Sequence, residues 1–160
     1  MRFRPIVFIS IVLVSFGLTG FMASQYLQVN AALSSFSMTV TEVFAENIGP
    51  ENSQIRITIM YRNLGTATIN MSFYQFILYL NDANVYVNTY QANRDFLPGD
   101  DWNTTVSASI TGPRNAVVLQ ANSTNQWNWN VVTLAGLSVL YFRAEDVGVY
   151  YSDSYDGIVT

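Results

Sequence analysis

Between Ile69 and Leu80 the sequence INMSFYQFILYL alternates like a strand, but it changes phase halfway. Ile69, Met71 and Phe73 fall on odd positions, whereas Tyr74, Phe76, Leu78 and Leu80 fall on even ones. Successive side chains of a strand point to opposite faces, so a slip of one residue turns the apolar set to the other face. The chain must therefore bulge at Phe73–Tyr74 or pass there from one sheet to another. Either device suits two packed sheets whose apolar side chains turn inward from both.

Elsewhere the period of two is regular. Ile55, Ile57, Ile59 and Tyr61 alternate with Arg56, Thr58, Met60 and Arg62. Trp102, Thr104, Val106, Ala108 and Ile110 alternate with Asn103, Thr105, Ser107 and Ser109, so both segments read as half-buried strands. LNDANV (Leu80 to Val85) puts turn formers between apolar runs and predicts a hairpin, and FLPGDDW (Phe96 to Trp102) predicts a second turn. TGPRNAVVLQAN (Thr111 to Asn122), with Pro near its start, predicts a short helix. WNWNVVTLAGLSVLYF (Trp127 to Phe142) supplies one or two strands broken near Gly136. About seven strands at turn spacings of roughly 8–12 residues predict an all-β, seven-stranded immunoglobulin-like sandwich with one short helix.

Composition narrows the chemistry. The chain has no Cys, no His and no Lys; its seven cations are all Arg. Ser-His-Asp and Cys-His nucleophile pairs, a Schiff-base lysine and His or Cys zinc sites are all ruled out. No disulfide can hold the fold, so the core must. Nothing calls for a cofactor or a metal.

The N-terminus reads MRFRPIVFISIVLVSFGLTGFMASQYLQ, with no charge between Arg4 and Glu42. Pro5 to Ala23 is nineteen residues long. As a helix that run would span ~28 Å, close to the hydrocarbon thickness of a bilayer. With Arg2 and Arg4 on one side only, residues 1–23 are expected to be a cytoplasmic stub and transmembrane anchor. Residues 24–37 would then form a stalk or continue the helix, and 38–160 an extracytoplasmic domain. A cleaved signal peptide is the rival, with Val29-Asn30-Ala31 as a small-x-small junction, but the apolar run is too long for one. Gly20 and Ser24 make a small-xxx-small pair at which two helices could approach. Beyond residue 37, five Arg stand against eleven acids, a net of −6, which argues against nucleic acid or anionic lipid as partner.

Three segments carry a family resemblance: Tyr61-Arg-Asn63 closing a strand, ATINMSFYQFILYLN (Ala67 to Asn81), and LPGDDWNTTVSASI (Leu97 to Ile110). Together they resemble the water-stress-response domain of group 2 late-embryogenesis-abundant proteins, over about residues 38 to 142. Asn63 matches the Asn that ends one strand of the family, and Tyr74 to Asn81 approximates its Tyr-x-Leu-x-Leu-Asn strand. Val117–Leu119 and Gly136 fit its short helix and closing strand. The family's usual Asn-Pro is Asn63-Leu64 here, and its following Gly is Asp82. The resemblance implies a sandwich that binds or protects, without a catalytic site.

Asn70, Asn103 and Asn122 each open an N-glycosylation sequon, and the strand phase turns Asn70 and Asn103 from the apolar face. Glu145, Asp146, Asp153 and Asp156 gather with Tyr150, Tyr151 and Tyr155 near the C-terminus. Their spacing matches no calcium loop, and solvated acids beside an edge strand are the simpler account. Tyr150, Tyr151 and Tyr155 serve equally well as a contact surface or as packing; Trp127 and Trp129, sharing one face, belong to the core. The chain is therefore expected to be a non-catalytic, membrane-anchored module, held in the bilayer through residues 5–23. It would bind or stabilise a protein or glycan of the cell envelope. The alternative is an accessory subunit of a larger membrane complex or a homo-oligomer, with the helix packing against other spans. Sequons without cysteine fit an archaeal surface protein.

Overall fold

The computed structural model describes residues 4–139, 142–144 and 153–155. In chain order the elements are α1 (Arg4–Ser34), β1 (Phe36–Glu46), β2 (Asn52–Asn63), β3 (Ile69–Leu80), β4 (Ala83–Phe96), β5 (Asp101–Thr111), α2 (Pro113–Thr124), β6 (Trp129–Val139), β7 (Phe142–Ala144) and β8 (Asp153–Tyr155). Every strand pairing among the described residues is antiparallel. One sheet has the order β1-β2-β5; the other has β4-β3-β6, with β7 and β8 both paired to the remaining edge of β6.

The alternation expected for β2 and β5 is what packs the sheets together. Ile55, Ile57, Ile59 and Tyr61 are wholly buried, and Val106, Ala108 and Ile110 line up beside them. They face Met71, Phe76, Leu78, Leu80, Trp129, Val131 and Val139 across the core. Burial of each such side chain contributes about 1.5–3 kcal/mol.

The phase change in β3 is a bulge, and the strand stays in one sheet. Against β6, Ser72 is an extra residue on β3; against β4, Ser72 alone faces both Ala92 and Asn93. The insertion keeps Ile69 and Met71 on the same buried face as Tyr74, Phe76, Leu78 and Leu80, while Phe73 turns outward. Asn93 takes a positive φ of 44°, the strained end of the same step. Phe73 lies across Gly136, where an added Cβ would come within 2.7 Å of its ring and 2.8 Å of Ser72 Oγ. Gly136 therefore does not break the strand as its sequence promised; β6 runs through it because the Phe73 ring occupies the place of the missing side chain.

The short connections follow their chemistry. Asn81 and Asp82, with φ of 49° and 65°, make the two-residue hairpin turn between β3 and β4. Gly99, with φ of 85°, serves the β4–β5 turn, where Asp100 Oδ2 accepts from Leu97 N at 2.9 Å. The helix expected after Thr111 is α2: Pro113 sits in its first turn and Asn125 closes it in the left-handed conformation. It plugs one end of the sandwich with Val118 and Ala121, while Asn115 Nδ2 donates to the carbonyls of Gly49 and Pro50.

Two expectations are corrected. The seven-stranded immunoglobulin-like sandwich becomes, among the described residues, eight strands in two sheets, because two three-residue strands share the edge of β6. The other concerns α1, a 31-residue helix that passes without a break from the expected anchor through the expected stalk. Among the described residues no helix is long and apolar enough to cross a membrane. From residue 15 onward Ser15, Thr19, Ser24, Gln25, Gln28 and Asn30 interrupt the apolar character of α1. The transmembrane anchor over residues 5–23, the bilayer as partner and the single-pass placement with a cytoplasmic N-terminus are therefore withdrawn. Among the described residues α1 packs on the body through its end, where Ala32 is buried and Val29 and Leu33 lie against the core.

Candidate functional site

β4 and β5 are end strands of their sheets and flank one open side of the sandwich. Register places Tyr90 opposite Tyr74 and Tyr86 opposite Leu78, so both tyrosines share the inner face of β4. The ring of Tyr90 stacks on Tyr74 (5.3 Å, 11°) and on Phe76 (5.4 Å, 12°). Tyr86 stacks on Phe76 beside it (5.9 Å, 27°). Phe76 and Tyr74 are buried, whereas Tyr86 and Tyr90 are half-buried, so the upper pair is a tile laid on a buried aromatic floor.

The rim of the tile is polar. The Tyr86 and Tyr90 hydroxyls share a hydrogen bond of 3.0 Å, and Asn88 Nδ2 donates to the Tyr86 hydroxyl at 3.1 Å. Whichever tyrosine donates, one hydroxyl hydrogen of the pair is left for a partner. Burial, followed by the hydrogen bond to Tyr86, pushes the Tyr90 hydroxyl up to about 12. It therefore stays a neutral donor near neutral pH.

Further along the same face of β4, Arg94 sits opposite Met71 and lays its guanidinium over two rings, 5.1 Å from the centre of Trp102 and 5.5 Å from that of Phe96. Trp102 meets Tyr74 edge-on at 6.0 Å, which joins this end to the tile through one aromatic chain. The neighbouring acids are engaged or turned elsewhere. Asp95 lies on the outer face and accepts from Asn70 Nδ2 at 2.7 Å, Asp100 caps Leu97, and Asp101 pairs in register with Arg62 outside the other sheet. Arg56, by contrast, forms an ion pair with Glu46.

A second polar cluster closes the end of the sandwich near α1. Asn63 is wholly buried. Its Nδ2 donates to the carbonyls of Ala67 (2.8 Å) and Phe96 (2.9 Å), and its Oδ1 accepts from Gly65 N at 3.0 Å. Its own N–H and C=O bond Asp100 O and Gly99 N, each at 2.9 Å. One residue thus ties the β2–β3 loop to the end of β4 and the β4–β5 turn, with both side-chain donors and the side-chain oxygen engaged. Beside it lies a groove of about 430 Å³, lined by Gln28, Ala31, Ala32, Gly65, Thr66 and Ala67.

The three sequons singled out from sequence lie on separate elements. Asn103 is exposed on β5, Asn122 is exposed on α2, and Asn70 is half-buried in its bond to Asp95. Tyr155 lies in β8, paired with Trp129; Tyr150 and Tyr151, with Glu145, Asp146 and Asp156, lie outside the described residues. Trp127 and Trp129 are buried and stack on each other at 5.6 Å, as expected of core residues. Among the described residues no group of three acids could hold a metal ion. The tile escaped the sequence reading; its visible trace is Tyr86-x-Asn88-x-Tyr90, three hydrogen-bonding side chains at period two.

The geometry defines a two-sheet β-sandwich with an aromatic, polar-rimmed side. No family model and no curated protein matches the chain. Among solved structures it is similar to a protein from Archaeoglobus fulgidus, at 10% identity over 78% of this chain and 98% of that one, with a TM-score of 0.49. It is also similar to a putative late embryogenesis abundant protein, at 14% identity over 96% of this chain and 87% of that one, with a TM-score of 0.47. A protein of Arabidopsis thaliana matches at 10% identity over 74% of this chain and 80% of that one, with a TM-score of 0.48. The late-embryogenesis likeness thus stands as one of structural neighbours.

Proposed function

We propose that this chain is a non-catalytic binding module whose working surface is the Tyr86–Tyr90 tile with its rim. The observation that carries this is the stack itself: two half-buried tyrosines held flat on Tyr74 and Phe76, with hydrogen-bonding capacity left over. Flat rings held in place lose little freedom on contact, which is why Tyr favours binding surfaces. The rim groups are phenols, an amide and a guanidinium, which hold and orient a ligand rather than transform it. The envelope setting expected from the sequence rested on the anchor and is not carried forward.

Panels of purified polysaccharides and of extended peptides, presented to the immobilised full chain, test this reading. At least one class is retained by the native protein and lost by the Tyr86→Ala/Tyr90→Ala variant, and the retained ligand is recovered chemically unchanged. Equal retention by the variant, or a cleaved ligand in the eluate, defeats it.

A second reading, as a subunit of a larger assembly, is favoured by α1. Phe16, Phe21, Met22, Tyr26 and Leu27 are between 63% and 75% exposed. Apolar side chains at such density call for a covering partner. Crosslinking of the intact chain in its native host, with the crosslinks mapped to residues 16–27, supports the subunit role. Crosslinks confined to the β-sandwich count against it.

A further inference from the structure

Building on the tile as a binding surface, we propose that its ligand is an acidic polysaccharide, with sugar rings lying on Tyr86 and Tyr90 and a carboxylate meeting Arg94. The placement of these groups carries the inference. Tyr90 is half-buried on the inner face of β4, so part of its ring stays accessible beside its stack with Tyr74 and Phe76. The C–H face of a sugar ring is apolar and its edge bears hydroxyls. A flat aromatic surface bordered by Asn88 and a spare phenol hydrogen offers both complements.

Arg94 adds charge selection. Its guanidinium rests on Trp102 and Phe96, held by ring contacts rather than by a carboxylate. Asp95, Asp100 and Asp101 are each directed elsewhere, so the planar donor fork is open to a bidentate carboxylate from a ligand. Tyr90 and Arg94 are four residues apart on one strand, a span of about 10–13 Å, or roughly two to three sugar units. A chain ligand can therefore touch the tile and the cation together.

Other extended ligands fit less well. A nucleic acid strand carries a phosphate at every step and would bring several against a chain of net charge −4, whereas a polysaccharide needs an acidic sugar only where it meets Arg94, the one cation on this face of β4. A peptide adding to β4 needs an unbroken ladder, but extra residues at Val85 and at Ala92–Asn93 interrupt the regular register of that strand.

The test is calorimetric titration of the full chain with polygalacturonate, with the same polymer fully methyl-esterified, and with oligo-thymidylate. Native protein should bind polygalacturonate at least tenfold more tightly than the ester, and more weakly as salt is raised. Arg94→Gln should abolish that preference while leaving the melting temperature unchanged, and Arg94→Lys should restore part of it. Tyr90→Ala should weaken both polymers. Equal affinity for acid and ester, with Arg94→Gln indistinguishable from native, overturns the acidic ligand and leaves the binding module standing. No binding of either polymer overturns the carbohydrate assignment; the peptide panel then decides whether the module reading survives. Tighter binding of oligo-thymidylate than of polygalacturonate overturns it as well.

Discussion

Two polar clusters border the same aromatic core, and they are built on opposite plans. Around Asn63 every donor and acceptor of the side chain is matched within the protein, and the residue is wholly buried. Around Tyr86, Asn88 and Tyr90 the hydrogen bonds join the three side chains to one another and Asn88 Oδ1 to the N–H of Thr89, and the groups stand half-buried or exposed. A polar group closed on itself secures a fold, because leaving its partners orphaned is costly. One with spare capacity facing outward adds little to folding and is available to a ligand. The difference separates an asparagine that holds the fold from one on the proposed binding surface.

Asn63→Ala is the most severe way to probe this division. It orphans two carbonyls and one N–H, and the expected loss is about 3 kcal/mol of stability, with the tile's affinity unchanged in whatever fraction stays folded. Denaturant titration beside ligand titration checks both halves; a large change in affinity with little loss of stability would erase the distinction. Gly65→Ala acts on the same cluster by crowding. Its Cβ would fall on the Ser35 side chain and 3.2 Å from Asn63 Oδ1, for an expected cost of about 1–2 kcal/mol. Pairing it with Ser35→Ala in a double-mutant cycle should recover part of that cost.

Alkaline pH reaches the other cluster. The Tyr90 hydroxyl holds its proton more tightly when folded, up to about 12 against an ordinary 10.0. Its contribution to stability is complete below the unfolded value and is lost as pH rises from about 10 to about 12. Buried Tyr61, whose hydroxyl is raised further by desolvation, should ionise only as the protein unfolds. A tyrosinate absorbance titration in which neither lags the remaining tyrosines contradicts this. The gentlest probe is Tyr90→Phe, which keeps the stack and removes the hydroxyl. Stability should move by less than about 0.5 kcal/mol, while affinity for the tile's ligand should fall about three- to tenfold.

Much of the fold could be read from the chain because period-two alternation and turn chemistry are local. β2 and β5 announced themselves through their apolar rows, and Asn81–Asp82 through the only backbone shape those residues favour together. The slip in β3 was visible, but sequence alone could not choose between a bulge and a change of sheet, since that depends on how β4 and β6 pair beside it. β6 was read as broken because Gly136 is a strand breaker unless a ring such as Phe73 covers it. The anchor was inferred from residues 5–23, whereas the helix extends to Ser34 and is judged over its described length. The tile showed in the sequence only as the spacing of Tyr86, Asn88 and Tyr90. Its floor comes from β3, its surface from β4, and the freedom of Arg94 depends on where Asp95, Asp100 and Asp101 point.

Phe73 and Gly136 act as a single residue shared by two strands. A side chain can be admitted at position 136 only if the one at 73 shrinks, so the two should be inherited together. Natural variants that enlarge one without reducing the other ought to be scarce, and a designer who alters this sheet must treat the pair as one choice.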